Sequence, residues 1–171
     1  MYYIGGMHDK DLNIIADMMH SCLISRGRII TSTIVLETAL DLFIAQHFCG
    51  ESKETVEIIE MILGTSNFMY VNKRDTFCAI IKKHKKYGIS KDDAELIYDE
   101  LQKISDWRNI IAHSQLDISK AAIRDFKTNG TITFNKFVNS KKTISFSAEK
   151  LDAIVLIISF RAKMIKSLIQ L

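Results

Sequence analysis

Proline is missing from all 171 residues, where average usage of about 5% would supply roughly eight or nine. Glycine, the other chain breaker, appears only seven times. The pair of shortages disfavours collagen-like repeats, Pro-rich linkers, low-complexity tracts and loop-rich sandwiches. It favours long uninterrupted helices, because proline is the residue that most strongly breaks them.

Cysteine is also scarce. Cys22, Cys49 and Cys78 are an odd set in a chain whose segments can pack without staples, so free thiols in a reducing compartment are expected. The pairs His20/Cys22 and His47/Cys49 suggest zinc, but residues two apart on a helix point about 200° away from each other and cannot share one ion. No metal and no cofactor is expected, and no GxGxxG, Walker or GxSxG motif occurs. The longest uncharged apolar stretch, Ala153 to Phe160, is short of the roughly 20 residues of a membrane span. Residues 1 to 20 carry neither a basic leader nor an apolar run, so the expectation is a soluble cytoplasmic protein without a secretory leader.

What is present is ordinary globular material, 47% hydrophobic and 25% charged, enough for one core and one domain over residues 1–171. The formal charge is only +3, but it is unevenly spread: residues 73–91 and 118–171 are strongly basic, and residues 1–72 and 92–117 are acidic.

Periodicity predicts a mainly α fold: a single bundle of five to six helices with a small C-terminal β-hairpin insertion. Apolar residues recur at helical spacing from Leu12 to Cys49, with a possible break at Ser25 to Gly27. A short helix over 54–63 is expected, then a loop over 65–73. A helix opening at Asp75 and running to Tyr87 follows, and then a long one capped by Ser90. The hairpin is expected at about 121–147, because Asn129-Gly130 stands between β-branched runs. A closing helix over about 148–171 follows Ser147.

The residues that could carry chemistry are Arg108-Asn109-Ile110-Ile111-Ala112-His113. Asn109 and His113 are four apart and share a helical face, as does Asp106, seven before His113. Arg108 is five before His113, about 140° round the helix, so its side chain must bend to join them. An imidazole with an ordinary pKa near 6.5 can move a proton, and a guanidinium can hold a phosphate while charge develops on it. No metal is needed for that. Spacing alone also admits a bland reading, in which Arg108 is solvated and His113 ends its helix against the dipole.

The wording WRNIIAHS resembles the Arg-polar-x3-His motif of the HEPN superfamily. The stretch RGRIITSTIVLETALDLFIAQHF is similar to the second helix of that superfamily's mannitol-repressor-like branch. The resemblance covers roughly residues 24 to 115. It implies a homodimer with facing motif helices and metal-independent endoribonuclease chemistry in defence, toxin–antitoxin or stress response. Arg108, His113 and Asn109 would be the catalytic residues, and a regulatory protein or antitoxin a possible partner. It equally allows a non-catalytic regulatory module, since many members are inactive. In members paired with a nucleotidyltransferase antitoxin, a Tyr two residues after the His is modified; here that position is Gln115.

Three groups complete the expected site. Glu37 and Asp41, four apart on one face, are either a support that orients Arg108 or a solvated acidic stripe. Lys82, Lys83, Lys85 and Lys86 either grip RNA phosphate or simply suit a helix C-terminus. Lys136, Lys141 and Lys142 share that ambiguity.

Overall fold

A computed structural model describes residues 9–135 and 143–169. Six α-helices and a three-stranded antiparallel sheet make up most of these residues, and the protein is mainly α. The helices are α1 (Asp9–Cys49), α2 (Lys53–Ile58), α3 (Tyr70–Lys83), α4 (Lys91–His113), α5 (Lys120–Asn129) and α6 (Ala148–Ile169). The strands are β1 (Gln115–Leu116), β2 (Ile132–Asn135) and β3 (Thr143–Phe146), in the order β1-β2-β3.

The chain divides into two compact units, through both of which α1, α4 and α6 run. Among the described residues, the first comprises 9–30, 108–135 and 143–155. In its sheet, Leu116 faces Phe134 across β1 and β2, and Ile132 faces Phe146 across β2 and β3. Phe134 and Phe146 meet edge to face at 6.0 Å, and the opposed Thr133 and Ser145 hydroxyls hydrogen-bond at 2.9 Å. Met18, Ala122 and Ile123 form a buried cluster, with Ile14, Ile15, Leu116 and Phe126 packed on it.

The second unit comprises, among the described residues, 31–107 and 156–169. Its core follows the helical period: Leu36, Leu40, Phe43 and Ile44 on α1; Ala94, Ile97, Leu101 and Ile104 on α4; Ile158, Ala162 and Ile165 on α6. Phe43 joins these to α3 and the turn after it, 4.9 Å from both Phe77 and Tyr87.

Several boundaries differ from the sequence expectation. α1 has no break at Ser25 to Gly27. Cys22, Ile29, Leu36 and Phe43 continue one buried stripe, and an interior glycine weakens a helix by only about 1 kcal/mol. α3 starts at Tyr70, not Asp75: the buried residues of its first turns are Lys73 and Arg74, so no apolar stripe announces them. It ends at Lys83, and a 3₁₀ turn covers Lys85–Tyr87. α2 passes into a π-turn, Ile59–Leu63, where a side chain at Gly64 would lie 3.0 Å from the Ile59 carbonyl oxygen.

The larger correction concerns the hairpin. Residues 120–129 are helical, and Asn129-Gly130 ends that helix instead of turning a hairpin. Ser119 caps it, its hydroxyl accepting from the Ala122 N–H at 3.3 Å. Gly130 adopts φ +64° and donates to the Phe126 carbonyl at 2.8 Å. The left-handed conformation that makes Asn-Gly a hairpin signal also makes glycine the usual helix C-terminal residue. The hairpin pairs β2 with β3, and its connection, with Lys136, Lys141 and Lys142, lies outside the described residues.

By length and composition α1 is long and apolar enough to cross a membrane, and half of its most apolar window is buried inside the protein.

Candidate functional site

Ser90 starts the helix that carries the motif, accepting from the Asp93 N–H at 3.0 Å, and Asp92 and Asp93 suit the positive end of its dipole. Twenty-three residues later α4 ends at His113, with Ser114 donating to the Ile110 carbonyl at 2.9 Å. The helix end is held from α1: Arg26 donates from Nη2 to the Ser114 carbonyl, and its guanidinium lies 5.3 Å from the Phe134 ring centre. A cation there also opposes the negative end of the α4 dipole. Arg26 Nε is buried with no hydrogen-bond partner among the described residues.

On this fixed end the structure brings together Arg108, Asn109 and His113. Arg108 Nη1 donates to Asn109 Oδ1 at 3.0 Å and lies 3.3 Å from His113 Nε2. The guanidinium thus bends back over the roughly 140° that separate the two positions on a helix. Arginine only donates, so this contact is a hydrogen bond in the tautomer that leaves His113 Nε2 free to accept and puts the ring proton on Nδ1. Asn109 and His113 are exposed and Arg108 is half-buried. The group presents an imidazole, a guanidinium and an amide at an open surface.

Glu37 and Asp41, expected beside Arg108, are taken up by another cation. Lys73 on α3 donates to Glu37 Oε1 at 2.8 Å and to Asp41 Oδ2 at 2.9 Å, with only 4% of its side chain exposed. Burial opposes the Lys73 charge, but the two carboxylates outweigh it and hold its pKa above the ordinary lysine value. Burial pushes the Asp41 carboxyl up despite Lys73, and Asp41 Oδ1 is buried with no hydrogen-bond partner among the described residues. Asp106 accepts from Gln102 Nε2 at 2.9 Å. Gln102 in turn takes Arg74, which also reaches Asp75 and the Tyr98 hydroxyl.

Of the four lysines, Lys82 faces Glu95 at 3.5 Å between exposed side chains. Lys83 ends α3, and Lys85 and Lys86 lie on the 3₁₀ turn. Lys83, Lys85 and Lys86 have no acidic partner among the described residues. Next to them is a group the sequence reading overlooked. His47 Nδ1 is 2.7 Å from the Tyr87 hydroxyl, its ring is 4.6 Å from that of His84, and Phe48 meets it edge-on at 4.9 Å. Burial, then the neighbouring charges of His84, Lys86 and Lys83, hold the His47 pKa below the ordinary histidine value.

Lys73 and Arg26 were also overlooked. Glu37 and Asp41 at i, i+4 signalled a cation opposite them, and Arg26 stood out inside an apolar helical run. Neither signal names its partner.

No family model, no curated protein and no solved structure matches this chain.

Proposed function

We propose that the protein is a metal-independent endoribonuclease of HEPN type, acting in the cytoplasm in a defence, toxin–antitoxin or stress response. The observation that carries this reading is the exposed contact of Arg108 with His113 Nε2 at 3.3 Å, steadied by Asn109 at 3.0 Å.

The chemistry follows from the arrangement. A ribose 2′-hydroxyl that displaces Arg108 from Nε2 gives its proton to the neutral imidazole. The resulting oxyanion attacks the adjacent phosphorus, and the bond from phosphorus to the 5′-oxygen breaks. The released Arg108 guanidinium neutralises charge on the phosphoryl oxygens as it builds. The 5′-oxygen takes a proton from an imidazolium, either the same one or the second copy that a homodimer supplies. The products are a 2′,3′-cyclic phosphate and a 5′-hydroxyl. Asn109 positions the guanidinium, while Glu37, Asp41 and Asp106 act through the framework instead of on substrate.

A regulatory module similar to the mannitol-repressor-like branch, engaging a protein partner, is the second reading. The same hydrogen bond favours it, because it already occupies the nitrogen that a base uses.

Purified protein in EDTA separates the two. The enzyme reading expects cleavage of single-stranded or structured RNA, abolished by Arg108→Ala and by His113→Ala with helicity and oligomeric state retained. Equal inertness of wild type and both variants across several RNAs supports the regulator and removes the enzyme.

A further inference from the structure

We propose that Phe48, His47 and His84, together with Lys83, Lys85 and Lys86, form a docking platform for single-stranded RNA, on which one base stacks against Phe48 and the flanking phosphates meet the lysines. The platform names a binding surface for the substrate class suggested above, but its binding claim does not depend on cleavage.

Four observations carry it. Phe48 leaves 66% of its surface exposed near the C-terminal end of α1. The ring meets His47 edge-on at 4.9 Å, and His47 in turn contacts His84 at 4.6 Å. His47 is itself anchored by the Tyr87 hydroxyl at 2.7 Å and by its contact with buried Phe43. Finally, His84 stands between Lys83 and Lys85 in sequence, and Lys86 Nζ lies 5.0 Å from the centre of the Tyr87 ring that binds His47.

An exposed ring with a rigid backing beside cations is what a single-stranded nucleic acid uses. Every base has a face to stack, and every linkage has a phosphate to neutralise. Lys82 is set apart by its Glu95 contact, which leaves Lys83, Lys85 and Lys86 for phosphate. A lipid surface is the poorer match, because interfacial binding needs a broad apolar face along a helix, whereas this patch has one exposed apolar ring among its cations.

Fluorescence anisotropy with a labelled 2′-O-methyl oligouridine 12-mer tests the platform, because this probe cannot be cleaved by 2′-hydroxyl attack. Phe48→Ala is expected to weaken binding about tenfold, and Phe48→Tyr to stay within about twofold of wild type. Lys83→Gln combined with Lys86→Gln is expected to reduce the slope of log affinity against log salt by about 1.4, as two phosphate contacts imply. Wild-type affinity in Phe48→Ala and in the lysine variant overturns the proposal. So does a wild type that ignores the oligomer, or one that prefers phosphatidylserine vesicles to it. Binding that depends on Phe48 in a protein that cleaves nothing leaves the platform standing and removes the enzyme. Cleavage without any effect of Phe48→Ala does the reverse.

Discussion

Lys73 touches two carboxylates with 4% of its side chain exposed, whereas Arg108 meets an amide and an imidazole at an open surface. Both are cations on long helices, but the physics gives them opposite duties. Removing Lys73 strands the buried Asp41 carboxylate in low dielectric, while Glu37 keeps 35% of its side chain exposed, so Lys73 belongs to the fold. A half-buried cation with no carboxylate partner among the described residues contributes little to stability and can leave its contacts to meet a ligand.

The sharpest way to break this contrast is Lys73→Met. It is expected to destabilise the protein by about 3–5 kcal/mol, read from the urea midpoint, while Arg108→Ala should move that midpoint by no more than about 0.5 kcal/mol. Replacing Lys73, Glu37 and Asp41 together by apolar residues of similar volume should recover most of the loss. If Lys73→Met proves as mild as Arg108→Ala, the buried cluster does not hold the fold.

A smaller effect tests the first unit. Gly130→Ala forces a side chain into left-handed backbone and should cost about 1 kcal/mol. Ser119→Ala, which removes the cap at the other end of α5, should cost a similar amount of about 1 kcal/mol. A neutral Gly130→Ala in the same denaturation assay argues against the αL termination of α5.

Smaller still is a pH effect centred on His47. Its folded pKa lies below the ordinary 6.5, first through burial and then through His84, Lys86 and Lys83, with the Tyr87 hydroxyl on Nδ1. Below pH 6.5 the unfolded chain therefore binds more protons at this residue than the folded one. Stability from the neutral ring is complete above 6.5 and declines as pH falls through the lowered folded value. The urea midpoint of wild type should drop between pH 7.5 and 5, and His47→Gln should flatten that drop; identical pH profiles contradict it.

The mainly α architecture was readable because α4 and α6 bury apolar residues at helical spacing and Ser90 and Ser147 cap them through their hydroxyls. The start of α3 was not, because Lys73 and Arg74 fill buried positions where periodicity looks for apolar side chains. The Asn129-Gly130 pair misled because one backbone conformation serves two structures; the Ser119 cap and the packing of Ala122, Ile123 and Phe126 go with the helix. Within the candidate site, spacing put Asn109 and His113 on one helical face, and the five-residue separation of Arg108 from His113 required the bend that brings them together. The partner of Glu37 was not legible, since 36 residues separate it from Lys73 and nothing local encodes their meeting.

The central claim is that Arg108 and His113 act on RNA while the buried cluster only holds the helices. It is tested most directly by the single-turnover cleavage rate of a short RNA in EDTA for wild type and His113→Ala, measured beside their urea midpoints. The account predicts a rate loss of at least about a hundredfold, products ending in 2′,3′-cyclic phosphate for wild type, and coincident midpoints. Equal rates, or a loss that follows a shifted midpoint, would contradict it.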